Sequence, residues 1–154
     1  MALSARSIKH LVGVHPSFCS VILTADTLCP FPFDAIEGVR TRARQIQLFA
    51  RGRETAELIA AGITGVAGLP DEPKVTWTLK SAHIPKADGF GYAVDMVPMP
   101  VDWKDFARFD ALALAMFRAA SVHGVHIRWG ADWDGDGKLR EKGENDSPHF
   151  ELVG

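Results

Sequence analysis

Residues 105–130 read DFARFDALALAMFRAASVHGVHIRWG. Phe106, Phe109, Ala113, Met116, Phe117 and Ala120 recur at helical spacing and predict one amphipathic helix over 105–123. Gly124 can take the left-handed backbone that ends a helix, and His126 to Trp129 then predicts a short strand. The chain does not return to helix after that strand, so this is not a βαβ unit. Working outward, Ala93 to Met99 and His149 to Val153 predict two more strands, with a shorter one over Trp77 to Leu79. Toward the N-terminus the pattern is helical: Ser4 to Val12, with Ile8, Leu11 and Val12 on one stripe, then a helix opened by Pro16. That second helix carries Phe18, Val21, Ile22 and Ala25 and stops before Pro30–Pro32. A strand is predicted over Ala35 to Arg40. Thr41 can cap a helix over Arg42 to Ala50, with Ile46, Phe49 and Ala50 inward and Gly52 as its stop. Another helix follows over Glu54 to Ala61. Gly62 to Lys74 and Ile84 to Tyr92 are rich in Gly and Pro and read as loops. Helices come mostly first and strands mostly late, which is the α+β class with a small, mainly antiparallel sheet.

The 154 residues make one domain, 1–154, too short for two ordinary cores and without a linker that would set off a separate wall-binding module. Seventeen basic side chains against nineteen acidic ones leave a formal charge of −2, which argues against a nucleic-acid binder that relies on a broad basic face. No apolar run approaches the roughly 18 residues that a membrane helix needs, so no membrane insertion is expected. The first ten residues lack the apolar stretch and cleavage site of a signal peptide. Cys19 and Cys29 cannot form a disulfide framework and read as buried thiols.

Two of the six histidines stand out by context. His83 opens a glycine-studded stretch that ends in Asp95, and His149 follows Asp146 by three residues. A catalytic zinc takes three protein ligands and leaves a position for water. His83, Asp95 and His149 would supply two imidazoles and a carboxylate, while Asp146 would be left to take a proton as general base. Taken alone, the same pairs could equally be structural hydrogen bonds.

Ser81-Ala-His83, Gly91-Tyr-Ala93-Val-Asp95 and Pro148-His149-Phe-Glu151 resemble the signature of the VanY-like D-alanyl-D-alanine carboxypeptidase superfamily. They are most similar to its phage L-alanyl-D-glutamate endopeptidases, the peptidoglycan-cutting endolysins. Glu37-Gly-Val-Arg40-Thr with Arg44-Gln45, Gly13-Val-His15-Pro16 and Arg128-Trp129-Gly130 extend the resemblance over nearly the whole chain. It implies a D-Ala-D-Ala carboxypeptidase/Hedgehog-like fold and zinc on His83, Asp95 and His149. It also implies Asp146 as base and Arg40 as the cation facing the oxyanion, although an ordinary ion pair is the other reading of Arg40. Ser81, Gln45 and Glu151 become candidates for orienting ligands or substrate. The implied reaction is hydrolysis of the L-Ala–D-Glu bond of the peptidoglycan stem peptide. A D-Ala-D-Ala carboxypeptidase or dipeptidase, a silent zinc-binding wall-docking module and a virion component are the alternatives. The expected protein is a monomer that accumulates in the host cytoplasm, passes the membrane with a holin and acts on periplasmic peptidoglycan. One departure stands out: the family usually places the first histidine seven residues before the aspartate, whereas here His83 lies twelve before Asp95. The extra residues fall in Ile84–Phe90 and make Asp88 a rival ligand.

Asp132-Trp-Asp134-Gly-Asp136-Gly137 spaces three carboxylates as the opening of a calcium loop does. The twelfth position, where a closing glutamate belongs, is Gly143, bracketed by Glu141 and Glu144. Calcium on Asp132, Asp134 and Asp136 is one expectation; a solvated acidic turn is the other. Trp77, Trp103, Trp129 and Trp133 are candidates for a glycan or peptide groove, with core packing the default for at least two.

Overall fold

The computed structural model describes residues 3–154. Five helices and four strands follow one another as α1 (Ala5–His10), α2 (Pro16–Leu28), β1 (Phe33–Glu37), α3 (Arg42–Ala50), α4 (Thr55–Ala60), β2 (Ala93–Pro98), α5 (Phe106–His123), β3 (Ile127–Gly130) and β4 (Asp146–Leu152). The strands form one antiparallel sheet in the order β1-β2-β4-β3, so the class is α+β as expected.

Alternation along the strands gives the sheet two unlike faces. Val94 and Met96 of β2, Phe150 and Leu152 of β4 and Trp129 of β3 point to one face and are buried there with α2 and α5. On α2 the buried side is Phe18, Val21, Ile22 and Ala25, and on α5 it includes Leu112, Ala113, Met116, Ala119 and Ala120. The alanines let the two helices approach closely, so that each large side chain meets the sheet. Asp105 caps α5 by accepting from the Arg108 amide, and Gly124 closes it at φ 64°. Each such cap contributes on the order of 1 kcal/mol. The other sheet face carries Asp95, His149 and Glu151, one strand position away from the core residues.

Several expectations need correction. Ile8 and Val12 are exposed, because α1 docks on β1 through polar groups instead. Buried Ser7 accepts from the Ala35 amide at 2.9 Å, and Ser4 donates to Asp34 at 2.8 Å. On α5, Phe106 and Phe117 are also exposed, and Leu112 and Ala119 take their place inward. Strand β1 begins two residues earlier than expected and bulges between Ala35 and Glu37. Residues 77–79 form no strand. Side chains hold the segment instead, with Gln45 Nε2 donating to Thr78 O at 2.7 Å and Arg53 to the preceding Thr76 O at 3.0 Å. Of the two thiols Cys29 is buried and Cys19 only partly so.

The longer stretch between His83 and Asp95 closes on itself. Tyr92 N donates to Ala82 O at 2.8 Å, and Lys86 N to Phe90 O at 3.0 Å. The added residues therefore leave the sheet as a loop whose ends touch, and β2 starts in register immediately after it.

Candidate metal centre

Strand pairing builds the centre. Asp95 of β2 lies directly across from His149 of β4, and Glu151 sits two residues further along the same face. His83 comes from outside the sheet, on the turn that Ser81 holds by accepting the His83 amide at 3.2 Å. Its ring is buried, and Nδ1 donates to the Gly38 carbonyl at 2.7 Å. A Cβ at position 38 would collide with the His10 carbonyl, so only glycine brings this backbone close enough to α1. With Nδ1 committed, His83 Nε2 points its lone pair toward Asp95 Oδ1, 3.3 Å away. It is buried and has no hydrogen-bond partner.

His149 is wired in the opposite sense. Its Nε2 meets Glu151 Oε1 at 2.9 Å, and Nδ1 faces Asp95 Oδ1 at 3.0 Å. If Nε2–H donates to Glu151, Nδ1 is the free ligand atom. One nitrogen from each ring and one oxygen of Asp95 then lie within 4.8 Å of one another. These separations suit the ligand set of a single tetrahedral cation, with each imidazole's other nitrogen held by a carbonyl or carboxylate, as metal-binding histidines usually are.

The electrostatics describe the same arrangement without its cation. Burial works to raise the Asp95 carboxyl, but the hydrogen bond and charge of His149, with His83 close by, outweigh it and hold Asp95 well below the usual carboxylate range. Burial likewise disfavours a charged His149, yet hydrogen bonds to Asp95 and Glu151 overcome it and push the ring up to about 9. A cation bound at this point would compete with that proton for the ring.

Around the centre is a cleft of about 380 Å³. Asp146 lies at its rim, Oδ2 4.0 Å from His149 Nδ1, and desolvation, together with the charge of Asp95, raises its carboxyl despite the nearby cations. Gly130 makes room for it: a Cβ there would run into the Asp146 backbone. On another wall Arg40 is fixed by two charge-assisted or polar bonds, Nε to Glu37 Oε1 and Nη1 to Gln45 Oε1, each 2.7 Å. Its own amide donates to the His83 carbonyl at 2.8 Å. Gln45 is buried on α3 and links Arg40 to the 76–78 segment. Asp88 lies outside the centre, accepting from Tyr92 Oη at 2.6 Å and from the Phe90 amide.

The sequence reading did not identify Glu37, Gly38 or Thr78 as parts of this site, and it named Trp133 only as one of four candidates for a groove. Glu37 and Gly38 sit inside the motif that carries Arg40, which is the one signal that could have drawn attention to them. Trp133 packs its ring 5.3 Å from that of His149 and forms one wall of the cleft.

Trp133 belongs to the acidic loop. Asp132, Asp134 and Asp136 come together there, and Asp134 also groups with Glu141 and Glu144. Gly137 N donates to Asp132 Oδ2 at 3.1 Å and Asp136 N to Asp134 Oδ1 at 3.2 Å. Glu144 turns inward, accepting from the Asp134 amide at 3.2 Å through Oε2. Its Oε1 and Asp132 Oδ1 are buried without partners. Burial and the charges of Asp136, Glu144 and Asp134 raise the Glu141 carboxyl. Arg140, at φ 58°, pins the loop to α5 through Asp110 at 2.8 Å and to β4 through Ser147.

Comparison with known proteins agrees with the geometry. A family model described as phage L-alanyl-D-glutamate peptidase matches residues 71–153. The L-alanyl-D-glutamate peptidase of Escherichia phage T5 is 30% identical over 154 residues, covering 96% of this chain and 95% of its own. The crystal structure of the Serratia marcescens L-Ala D-Glu endopeptidase ChiX superposes with a TM-score of 0.66 at 31% identity, over 99% of this chain and 90% of its own. A zinc complex of the vancomycin resistance D,D-pentapeptidase VanY overlaps more loosely, with a TM-score of 0.46 and 17% identity, over 92% of this chain and 73% of its own.

Proposed function

This chain belongs to the phage L-alanyl-D-glutamate peptidase family, and from that premise we propose that it is a zinc endopeptidase cutting the L-Ala–D-Glu bond of the peptidoglycan stem peptide. The observation that carries the reading is the unpartnered, buried Nε2 of His83, aimed at Asp95 beside His149 Nδ1. Two imidazoles and one carboxylate are the donors of a catalytic zinc that keeps a position open. When bound there, zinc supplies Lewis acidity, polarising the scissile carbonyl and lowering the pKa of water.

The remaining steps fall to side chains. Asp146 stands at the rim with a raised carboxyl, which suits a base that takes a proton from the attacking water and passes it to the departing D-Glu nitrogen. Arg40 cannot lose its proton, and its bonds to Glu37 and Gln45 hold it on the wall of the cleft, which suits a cation that faces a developing oxyanion. Glu151 and the Gly38 carbonyl orient the two rings, and Ser81 holds the turn under His83. As a lysin, the protein would accumulate in the host cytoplasm and rely on a holin to reach the wall.

The test is mass spectrometry of fragments released from purified Gram-negative peptidoglycan, with and without a zinc chelator. Stem peptides beginning at D-Glu, abolished by the chelator, are the expected products. Release of terminal D-Ala would move the enzyme to the carboxypeptidase branch, and no release with zinc supplied would leave a binding module.

A second reading concerns the acidic loop, on a specific observation: Glu144 Oε1 and Asp132 Oδ1 are buried without partners among five gathered carboxylates. We propose that calcium binds there, with Glu144 as the closing ligand beside Asp132, Asp134 and Asp136. Trp133 and Asp146 lie on or next to this loop, so ordering it would steady one wall of the cleft and the base.

A further inference from the structure

Two grooves of unlike chemistry open from the metal cleft, and the ring of His149 stands between them. Its Nδ1 side faces Asp146, and its Nε2 side faces Glu151. Past Asp146 the cleft continues into a groove of about 710 Å³ whose walls include Thr76, Trp77, Trp133 and Asn145. Trp77 is 75% exposed, the most exposed large apolar side chain described. Its backbone is nevertheless held from below, by the Gln45 and Arg53 bonds to Thr78 and Thr76. An exposed indole on a fixed backbone, beside amide and hydroxyl groups, offers a flat apolar face with polar partners, which is what one face of a sugar ring and its substituents require.

Past Glu151 the cleft continues into a groove of about 500 Å³ whose lining sets Arg42, Lys80 and Lys86 among Leu79, Ile84 and Pro85. Glu151 is the single carboxylate in that lining, and it is already engaged by His149 and Arg128. Lys86 is engaged too, with the Gly154 carbonyl and the Tyr92 ring. Among the described residues, Arg42 and Lys80 have no carboxylate within ion-pair distance. They therefore form an uncompensated positive wall of this groove, whereas Arg40 in the metal cleft is balanced by Glu37.

The substrate of the proposed reaction divides in the same way at its scissile bond. On one side the L-Ala nitrogen is acylated by the lactyl group of N-acetylmuramic acid. On the other, D-Glu continues through its γ-carboxyl and leaves its α-carboxylate free beside the scissile nitrogen. We propose that the cleft reads this polarity: the muramyl sugar stacks on Trp77 beyond Asp146, and the D-Glu α-carboxylate pairs with Lys80, supported by Arg42, beyond Glu151. This assignment rests on the endopeptidase reading and gives the substrate one direction across the metal.

The experiment uses the zinc-loaded protein and soluble stem peptides, free or attached to N-acetylmuramic acid, each with D-Glu or with D-isoglutamine, in which the α-carboxylate is an amide. Trp77→Ala should lower the ratio of kcat/KM for muramyl-linked over free peptide about tenfold, the scale of one lost stacking contact. Trp103→Ala removes an exposed indole that lines neither groove and should leave that ratio unchanged. Lys80→Ala should erase the wild-type preference for D-Glu over D-isoglutamine while keeping the muramyl ratio. An unchanged muramyl ratio in Trp77→Ala, or an unchanged D-Glu preference in Lys80→Ala, overturns the assignment. So does the exchanged pattern, which would reverse the substrate. If the wild type cuts none of the peptides, the endopeptidase reading itself fails, a result distinct from any of these ratios.

Discussion

The His83–Asp95–His149 centre and the 132–144 loop both gather ligand atoms, but they are built in opposite ways. In the centre two ligands are ladder partners across β2 and β4, the third is clamped by a carbonyl, and the spare atom of each imidazole is already bonded. Its geometry is set before any cation arrives. In the loop most of the carboxylates are exposed and are held by their own backbone amides; Glu144 alone is deeply buried. The contrast teaches where rigidity comes from: sheet register sets ligand atoms by strand pairing, whereas exposed turn carboxylates rest on the amides of their own loop.

The largest predicted effect removes the pre-set part. His83→Ala should abolish stoichiometric zinc, read by metal analysis of the purified protein, and reduce peptidoglycan turnover to background. Zinc retained at full stoichiometry would mean that the ligand set is wrong. Asp146→Asn should instead keep zinc and lower turnover by roughly 10²–10⁴-fold, the range for loss of a general base. If that variant loses its zinc, ligand and base must be exchanged.

The next effect is smaller and depends on pH. Because the metal-free His149 ring is raised to about 9, a cation must displace its proton. Apparent zinc affinity should therefore climb with pH and level off near 9, which competition with a chromophoric chelator would follow. The metal-free fold has the reverse dependence. Its His149 contribution is complete below about pH 6.5, the ordinary histidine value, and is lost as pH rises toward about 9. The melting temperature of the zinc-free protein should fall across that window. Glu151→Gln should flatten this fall and weaken zinc about 10–100-fold. An unaltered pH profile would show that Glu151 does not hold the ring.

The smallest effect tests the loop. Glu144→Gln keeps an acceptor for the Asp134 amide but removes the charge, so calcium should no longer raise the melting temperature, while zinc content stays whole. Activity should change only a few-fold. A wild type whose melting temperature and activity are flat across a calcium titration, with zinc held constant, would make the loop a plain acidic turn.

Much of the centre was legible because its logic is one-dimensional. Alternation puts 149 and 151 on one face, and the resemblance carried by the motifs around His83, Asp95 and His149 singled out ligands where spacing alone left structural hydrogen bonds open. The helix over 42–50 was legible from its Thr41 cap and from Gly52. Other features depend on contacts that no local pattern records. The 77–79 segment looks like a strand, but Gln45 and Arg53 hold it and the preceding Thr76 from the side. Ile8 and Val12 look like a core stripe, but Ser7 binds β1 instead. Gly38 accepts from His83 through its carbonyl, which every residue possesses, and its need to be glycine comes from the distant His10 carbonyl, which no local pattern records. Glu144 is distinguished from Glu141 by the direction in which one turn bends.

The two imidazoles present different nitrogens to the same point, Nε2 from His83 and Nδ1 from His149. The positions are therefore not interchangeable in reach. An asparagine amide extends about as far as Nδ1 and a glutamine amide about as far as Nε2. Replacement should be better tolerated as His149→Asn and His83→Gln than as the reverse pair. A library of ligand variants would record this handedness of the wiring as an asymmetric alphabet, with short amides accepted at one strand position and long ones at the turn.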